Sequence, residues 1–253
     1  MQDNRVGLAC GDLVDGRLTV SAATPGSPDR VIQQLKAWID GDTPALLAID
    51  APLGWPAPLG PALAGHRAGR QLTEQANRLF RRCTDDAVSK IKRPLDVGAD
   101  HIARTAHQAL KILSELADAL GRSEIPLAWS PQDPRAVQAI EVYPAATLRA
   151  CNIEIRGYKD RKTGEKDRRV VLSGLQQHLT LADGLVEGCV SCVDALDAVV
   201  CLLAGADFLS GRAAPPPEDK EELIRKEGWI WCREPAGGRE RGSDQPGRRG
   251  AGG

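Results

Sequence analysis

Acidic residues stand at three places in the sequence where a carboxylate could take part in chemistry. Asp50 ends the apolar run PALLAID, and sites in α/β proteins gather at the carboxyl ends of strands. Glu141 lies inside the apolar run AIEVYP, where a charge needs a site or a partner. Asp194 and Asp197 are three positions apart among apolar residues, so on a helix they project from roughly one face, near its buried edge. The pattern therefore predicts that these carboxylates converge.

Converging carboxylates repel one another unless a cation neutralises them. Oxygen ligands alone suit Mg²⁺ or Mn²⁺, and pairs of such ions promote in-line displacement at phosphorus. We therefore predict a divalent-metal site formed by Asp50, Asp194 and Asp197, with Glu141 as a further candidate ligand. Each acid also has a structural alternative, because an aspartate at a strand end can cap a loop or helix, and one in a first helical turn interacts favourably with the helix dipole.

The cysteines and histidines suggest competing sites that their spacing does not support. Cys189 and Cys192 form a CxxC, but structural zinc takes four ligands and the sequence has no second pair. His101 and His107 are six positions apart and share a helix face poorly. There is no Walker loop and no GxGxxG. The two cysteines are therefore interpreted as small buried thiols near the start of a helix.

Basic residues concentrate in two segments that could contact phosphate. These are RGYKDRKTGEKDRR (156–169) and RLFRRCTDDAVSKIKRP (78–94). Each could follow a nucleic-acid backbone, which would make binding dependent on salt, or could form a solvated loop. The sequence leaves both interpretations open.

The composition of the whole chain limits the classes of function. The 253 residues are 42% hydrophobic but only 4% aromatic, and the net charge is −1. Few aromatic residues argue against a stacking platform for single-stranded nucleic acid, and the net charge provides no global attraction to nucleic acid or membrane. No apolar run in the sequence is long enough to span a membrane. We expect no signal peptide, because MQDNRVGLAC lacks a basic start followed by an apolar stretch. Seven cysteines without a framework spacing predict reduced thiols in a cytoplasmic protein.

The elements that must position the acids follow from turn signals and periodicity. Asp15-Gly16 between two β-rich runs predicts a hairpin, and the runs 44–50 and 136–143 are typical of buried strands. The remaining predictions are helices at 27–39, about 169–182 and about 193–209, a last strand GWIWC, a disordered tail at 236–253, and a helical insertion at about 62–121. Within this insertion, residues 100–120 form one apolar stripe at Ile102, Ala106, Ala109, Leu113, Leu116 and Leu120. This order indicates one α/β domain over residues 1–235, with a sheet between helices.

Six short motifs in the same order resemble the DUF429 family, whose members are predicted nucleases with an RNase H-like fold. The motifs are LLAIDAPLGWP, RRCTDD, EVYPAATL, GYK, DALDAVVCLLAG and EGWIW. The resemblance covers residues 6 to 235. It implies a mixed central sheet flanked by helices, and catalytic acids on the first strand, at the end of the fourth strand and on the C-terminal helix.

The resemblance also implies roles for individual residues in a nuclease that uses Mg²⁺ or Mn²⁺ on DNA or RNA. Asp50 corresponds to the fourth-strand acid, Asp194 and Asp197 to the helix acids, and Glu141 lies on the next strand, where it joins or supports the site. Further family positions are Arg82, Asp85, Tyr158 and Lys159. We expect Lys159 and Arg82 to hold a phosphate and Asp85 to orient Arg82.

The beginning of the sequence departs from the family pattern. Family members open with a strand that carries GxDxA and supplies a central metal ligand, whereas MQDNRVGLAC resembles the second strand. We therefore expect either a start codon placed too late or a member of the family that is truncated or inactive. Three functions stay open: a metal-dependent nuclease, a non-catalytic module that binds nucleic acid or a partner protein, and, with less support, phosphoryl transfer from a nucleotide.

Overall fold

The computed structural model describes residues 6–39, 43–132 and 136–234. The predicted disordered tail, 236–253, lies outside these residues. The strands are Val6–Val14 (β1), Arg17–Gly26 (β2), Ala45–Ile49 (β3), Val137–Glu141 (β4) and Leu179–Leu181 (β5). The α-helices are Val31–Trp38 (α1), Leu59–Ala64 (α2), Ala76–Phe80 (α3), Cys83–Val88 (α4), Asp100–Ala119 (α5), Pro144–Ala150 (α6), Glu165–Leu175 (α7), Leu185–Ser191 (α8), Val193–Leu209 (α9) and Glu221–Glu227 (α10), and Glu218–Lys220 forms a 3₁₀ turn. The mixed α/β class predicted from the sequence is confirmed.

The first two strands form the predicted hairpin. Asp15 and Gly16 have φ values of 50° and 75°, which are the left-handed conformations that a two-residue hairpin turn requires. β1 and β2 pair antiparallel from the Val14–Arg17 pair outward, with a bulge between Cys10 and Gly11. Local turn chemistry therefore determines this part of the fold.

The strands form two separate sheets. One has the order β1-β2-β5, with β5 parallel to β2, and the other pairs β3 with β4 in parallel. This differs from the single central sheet predicted from the sequence, because no strand in the described part of the chain lies between β1 and β3.

Helix α9 connects the two sheets. It packs against β1, β2 and β3 and is buried along most of its length. Its bounds agree with those of the helix predicted over about 193–209, and its burial explains its apolar sequence. β1 approaches the start of this helix so closely that a Cβ atom on Gly7 would lie 1.7 Å from the carbonyl oxygen of Asp194. Glycine at position 7 therefore allows the contact that fixes β1 against the acidic end of α9.

Helix α5 matches its prediction, while two other elements differ. Its apolar stripe faces inward at Ala106, Leu113 and Leu116. The predicted helix over about 169–182 ends at Leu175, and Leu179–Leu181 instead pairs with β2. The predicted strand GWIWC is reduced to isolated bridges, at Ile230 with Glu141 and nearby at Arg233 with Ala213. In both cases a long-range pairing, absent from the local pattern, decides the conformation.

In the described part of the chain, no single helix is both long and apolar enough to cross a membrane. Among the described residues, only α8 and α9 taken together are long and apolar enough, and the chain bends by 118° between these two helices.

Candidate functional site

Three of the predicted acids lie on the wall of one large cavity. Asp50 follows the last residue of β3, and Asp194 and Asp197 lie in the first turns of α9, which packs against that strand. All three line a cavity of about 1430 Å³, together with Arg161 from the loop before α7. The structure therefore brings together the carboxylates that the sequence separates by more than 140 positions.

Asp197 is the most constrained of the three carboxylates. One oxygen accepts a hydrogen bond from the Tyr158 hydroxyl at 3.0 Å, and the other lies 2.9 Å from Lys159 Nζ. Lys159 also lies 5.6 Å from the centre of the Tyr158 ring. These two residues, singled out in the GYK motif, are thus in direct contact with a predicted catalytic acid.

The cation that pairs with Asp194 is more distant than the one that pairs with Asp197. Its carboxylate lies 3.8 Å from Arg161 Nη2, and both side chains are partly exposed. Each helix acid therefore faces a cation from the loop between α6 and α7, the first half of the basic segment 156–169.

The crowding of charge changes the affinity of these groups for protons. Burial, reinforced by the charge of Asp197, raises the pKa of Asp50 to about 7, although Lys159 opposes the change. The side chain of Asp50 is nevertheless exposed and lines the cavity. Burial also raises the pKa of Asp197, against the opposing effect of Lys159. Burial alone would lower the pKa of Lys159, but its pairing with Asp197 and Asp50 raises it, so its ammonium group stays charged.

Glu141 does not share the cavity wall; it belongs to a buried ionic network behind the site. Its two oxygens accept hydrogen bonds from Arg82 at 2.8 and 2.6 Å, and one of them also accepts from the backbone amide of Leu53 at 2.9 Å. Leu53 is in the loop that begins at Asp50. Glu141 therefore fixes the position of this loop. The resemblance implied that Glu141 either joins the site or supports it, and this contact corresponds to support.

Arg82 and Asp85 lie in the same network. Asp85 accepts hydrogen bonds from the backbone and guanidinium of Arg82, and the two side chains are each 1% exposed. These hydrogen bonds are the geometry expected if Asp85 orients the side chain of Arg82. The contact between Arg82 and a phosphate stays a prediction, and the guanidinium is already occupied by Glu141, Asp85 and the carbonyl oxygen of Glu227.

Glu227 is a member of the network that sequence reasoning missed. Its carboxylate accepts hydrogen bonds from the amides of Ala57 and Cys83 at 2.8 and 2.7 Å. It therefore holds the loop after β3 and the start of α4 together. The only signal in the sequence was its position in the EGWIW motif, to which no role had been given.

Close backbone approach explains two glycines near Glu227. A Cβ on Gly54 would lie 2.5 Å from the backbone of Glu227, and Gly228, at φ 83°, lies beside Glu141 and Arg82. Any side chain at these positions would separate the loop from α10.

The arrangement of donors around the three acids determines whether a metal ion fits. Within residues 6–39, 43–132 and 136–234, no group of three or more His, Cys, Asp or Glu residues is arranged to hold a metal. Both oxygens of Asp197 are engaged by Tyr158 and Lys159. The described residues, in this arrangement, therefore do not fit a bound divalent ion. Cys189 and Cys192 are both free thiols, and Cys189 is buried.

Comparison with known proteins gives one match. The model of the family described as a protein of unknown function (DUF429) matches residues 3–222. Neither a curated protein nor a solved structure matches the chain.

Proposed function

The chain belongs to the DUF429 family, and from that premise we propose that it hydrolyses phosphodiester bonds in DNA or RNA on an RNase H-like fold. The observation that carries this proposal is the pairing of Lys159 with Asp197, an acid that lines a large cavity together with Asp50. Acids that can bind and orient water lie next to cations that can bind phosphate, and hydrolysis of a phosphodiester needs both kinds of group.

Each residue of this cluster has a role in the proposal. Lys159 binds the phosphate, because a charged ammonium group close to the acids can shift from Asp197 to the substrate. Asp50 and Asp197 bind and orient the attacking water. Tyr158, through its hydroxyl, holds Asp197 in place, and the network of Glu141 and Arg82 holds the Asp50 loop.

The path proposed for the nucleic acid runs over cations that lack an acidic partner in the described part of the chain. Lys90 and Arg149 line a groove of about 450 Å³, and Arg93 follows Lys90 closely in the chain. Glu154 lines the same groove, and its carboxylate accepts hydrogen bonds from the amides of Ile155 and Arg156. The carbonyl oxygen of Arg93 accepts a hydrogen bond from Tyr143, whose hydroxyl feels the charges of Lys159, Asp50 and Arg149. Tyr143 therefore lies near both the groove and the acidic site, and a phosphate backbone that spans both would pass it.

Mg²⁺ or Mn²⁺ belongs to the proposal because the family resemblance implies it. Asp50, Asp194 and Asp197 would be its protein ligands. The described donors do not complete such a site, so the proposal requires a rearrangement of Lys159 or an additional ligand. We also propose a cytoplasmic location, which the seven free cysteines support.

The test is hydrolysis of a panel of single-stranded, double-stranded and branched DNA and RNA with Mg²⁺ or Mn²⁺. We expect Asp197→Asn and Asp50→Asn to lower the rate at least about 100-fold, since each removes a carboxylate that binds and orients the attacking water. The matched control is Asp183→Asn, an exposed aspartate outside the cavity. If the wild-type chain cuts no substrate with either metal, or if Asp197→Asn cuts as fast as the control, the proposed activity is wrong.

A second function is favoured by the saturation of Asp197 and the incomplete set of metal donors. In this alternative the chain binds nucleic acid, or a partner protein, without cutting. Salt-dependent binding of DNA or RNA without hydrolysis, unchanged by Asp197→Asn, would select the alternative.

A further inference from the structure

One arginine of the basic segment 156–169 points into the fold instead of toward solvent. Arg168, in the first turn of α7, is 1% exposed, whereas the next residue, Arg169, lies on the surface and pairs with Glu187. Within the residues that the structure describes, the hydrogen bonds of the Arg168 guanidinium all go to backbone carbonyl oxygens. A buried charge is costly unless it is paired or fully hydrogen-bonded, so these carbonyl contacts need an explanation.

The carbonyl oxygens that Arg168 binds belong to two separate parts of the chain. Its Nη1 donates to Tyr158 at 2.9 Å and to Asp160 at 2.8 Å. Its Nε donates to Val190 in α8, a helix that packs against α9. Tyr158 and Asp160 are the two neighbours of Lys159 in the chain. Hydrogen bonds from a charged donor are about twice as strong as neutral ones, so Arg168 holds the backbone on both sides of Lys159 against the helices.

The loop before α7 has the shape that this guanidinium needs. A Cβ atom on Gly164 would lie 2.8 Å from Nη1 of Arg168 and 2.4 Å from the carbonyl oxygen of Asp160. The Asp160 carboxylate accepts hydrogen bonds from the amides of Lys162 and Thr163, both at 2.8 Å. The loop therefore closes through its own hydrogen bonds, and glycine at position 164 leaves the space that the arginine occupies.

The same loop supplies both cations that face the helix acids. Lys159 lies 2.9 Å from Asp197, and Arg161 lies 3.8 Å from Asp194. The side chains of the two cations are 51% and 54% exposed, so their own packing does little to fix them. The position of the loop backbone therefore decides where these cations reach. Arg168 fixes that backbone and does not itself line the cavity.

We propose that Arg168 is a positioning residue for the site: by binding the backbone of their loop, it holds Tyr158 and Lys159 in place. Both side chains then reach Asp197. Arginine suits this role because its planar fork stays charged and donates in several directions at once, whereas a lysine presents a single ammonium group. The effect of Arg168 on hydrolysis rests on the proposed function, but its effect on the contact between Tyr158 and Asp197 does not.

The first measurement follows the Tyr158 phenol and needs no enzymatic activity. Burial raises the pKa of Tyr158, and the charge of Asp197 and the hydrogen bond to it raise the pKa further, with smaller effects from Asp50 and Tyr143. The chain has two tyrosines, so Tyr143→Phe leaves one phenol, whose ionisation is followed by ultraviolet absorbance. In this background we expect the phenol to stay protonated until the chain unfolds in alkali.

With Arg168→Met added, we expect the phenol to ionise at least about one pH unit lower, while circular dichroism still shows the native helices. Loss of a positive charge would by itself raise the pKa of Tyr158, so a fall reports that the loop has moved away from Asp197. Arg169→Met is the matched control, because Arg169 donates to Glu187 and not to the loop. It should leave the titration unchanged.

Two outcomes of this titration would overturn the proposal. In one, the phenol of the Arg168→Met protein ionises only when the chain unfolds, and in the other Arg169→Met lowers the titration equally. If Arg168→Met does not fold, Arg168→Lys is measured in the same way and decides by the same outcomes, since it keeps the charge but not the fork.

The second measurement connects Arg168 to hydrolysis. Arg168→Met and Lys159→Met are made singly and together, and kcat/KM is measured on a substrate that the wild type cuts. We expect each single substitution to lower kcat/KM at least about tenfold, and the double variant to lie within about threefold of the slower single variant, because Arg168 acts through Lys159. Effects that multiply in the double variant would contradict the positioning role. If the wild-type chain cuts nothing, the proposed function is wrong, and the phenol titration alone decides the role of Arg168.

Discussion

Arg82 donates to both carboxylate oxygens of Glu141, from Nη1 at 2.8 Å and from Nη2 at 2.6 Å, and both side chains are buried. The two residues are 59 positions apart. They connect the start of α4 to the end of β4, and through Leu53 they reach the loop that carries Asp50. A buried ion pair therefore supports the loop that carries Asp50.

Breaking this pair should strongly destabilise the fold. In Glu141→Gln the buried guanidinium of Arg82 loses one of its two carboxylate partners and keeps only Asp85. Removal of one partner of a buried ion pair lowers the free energy of unfolding by about 3–5 kcal/mol. Urea denaturation measures the change in the free energy of unfolding. The control is Glu74→Gln, whose partner Arg78 is 63% exposed and whose loss should cost less than about 1 kcal/mol. Equal effects of the two substitutions would show that the buried pair does not stabilise the fold.

The close contact between β1 and α9 makes Gly7 intolerant of a side chain. In Gly7→Ala the new methyl group would lie 1.7 Å from the Asp194 carbonyl, so the strand must move away from the helix. We expect a loss of about 1–3 kcal/mol in the free energy of unfolding, typical of overpacking. Gly65→Ala is the control, because a Cβ at Gly65 meets nothing within 4 Å. A melting temperature for Gly7→Ala equal to that of the control would contradict the contact.

Cations on the proposed nucleic-acid path should contribute to binding through counterion release. Arg149→Ala and Lys90→Ala should each weaken binding of DNA or RNA and reduce the slope of log K against log salt by about 1. Fluorescence anisotropy across a salt series measures both quantities. Arg169→Ala is the matched control, since Arg169 is exposed but already paired with Glu187 at 2.8 Å. An unchanged slope in Arg149→Ala would remove this groove from the path.

His178 should make stability fall in mild acid. Burial lowers its pKa, and the nearby Arg233 and Arg212 lower it further, although Asp207 opposes them. The unfolded chain then binds a proton more readily than the folded chain, so stability is full above about pH 6.5, the ordinary pKa of histidine, and is lost as the pH falls below it.

The comparison is between His178→Gln and the exposed control His107→Gln, with melting temperatures measured from pH 7.5 to 5. We expect His178→Gln to lose less stability than the wild type over this interval, and His107→Gln to follow the wild type. Parallel curves for all three proteins would refute the assignment.

Local patterns in the sequence determined much of the fold. Asp15-Gly16 predicted the hairpin, the stripe of α5 predicted its buried face, and the apolar run of α9 predicted a core helix, because turn conformation and helical periodicity depend on nearby residues. The same patterns selected Asp50, Asp194 and Asp197, since an acid beside apolar residues is unusual wherever it occurs. The predicted helix over about 169–182 wrongly includes LTL at 179–181, which forms a strand, because three residues have too little periodicity to distinguish the two conformations.

The tertiary structure decided which charges meet. Whether Glu141 binds Arg82 or faces the site depends on contacts between residues 59 positions apart, and the role of Glu227 depends on its reaching Ala57 and Cys83, 170 and 144 positions away. Pairing partners are selected by packing across the whole chain, and a local sequence pattern carries no information about the edge on which a neighbour lies.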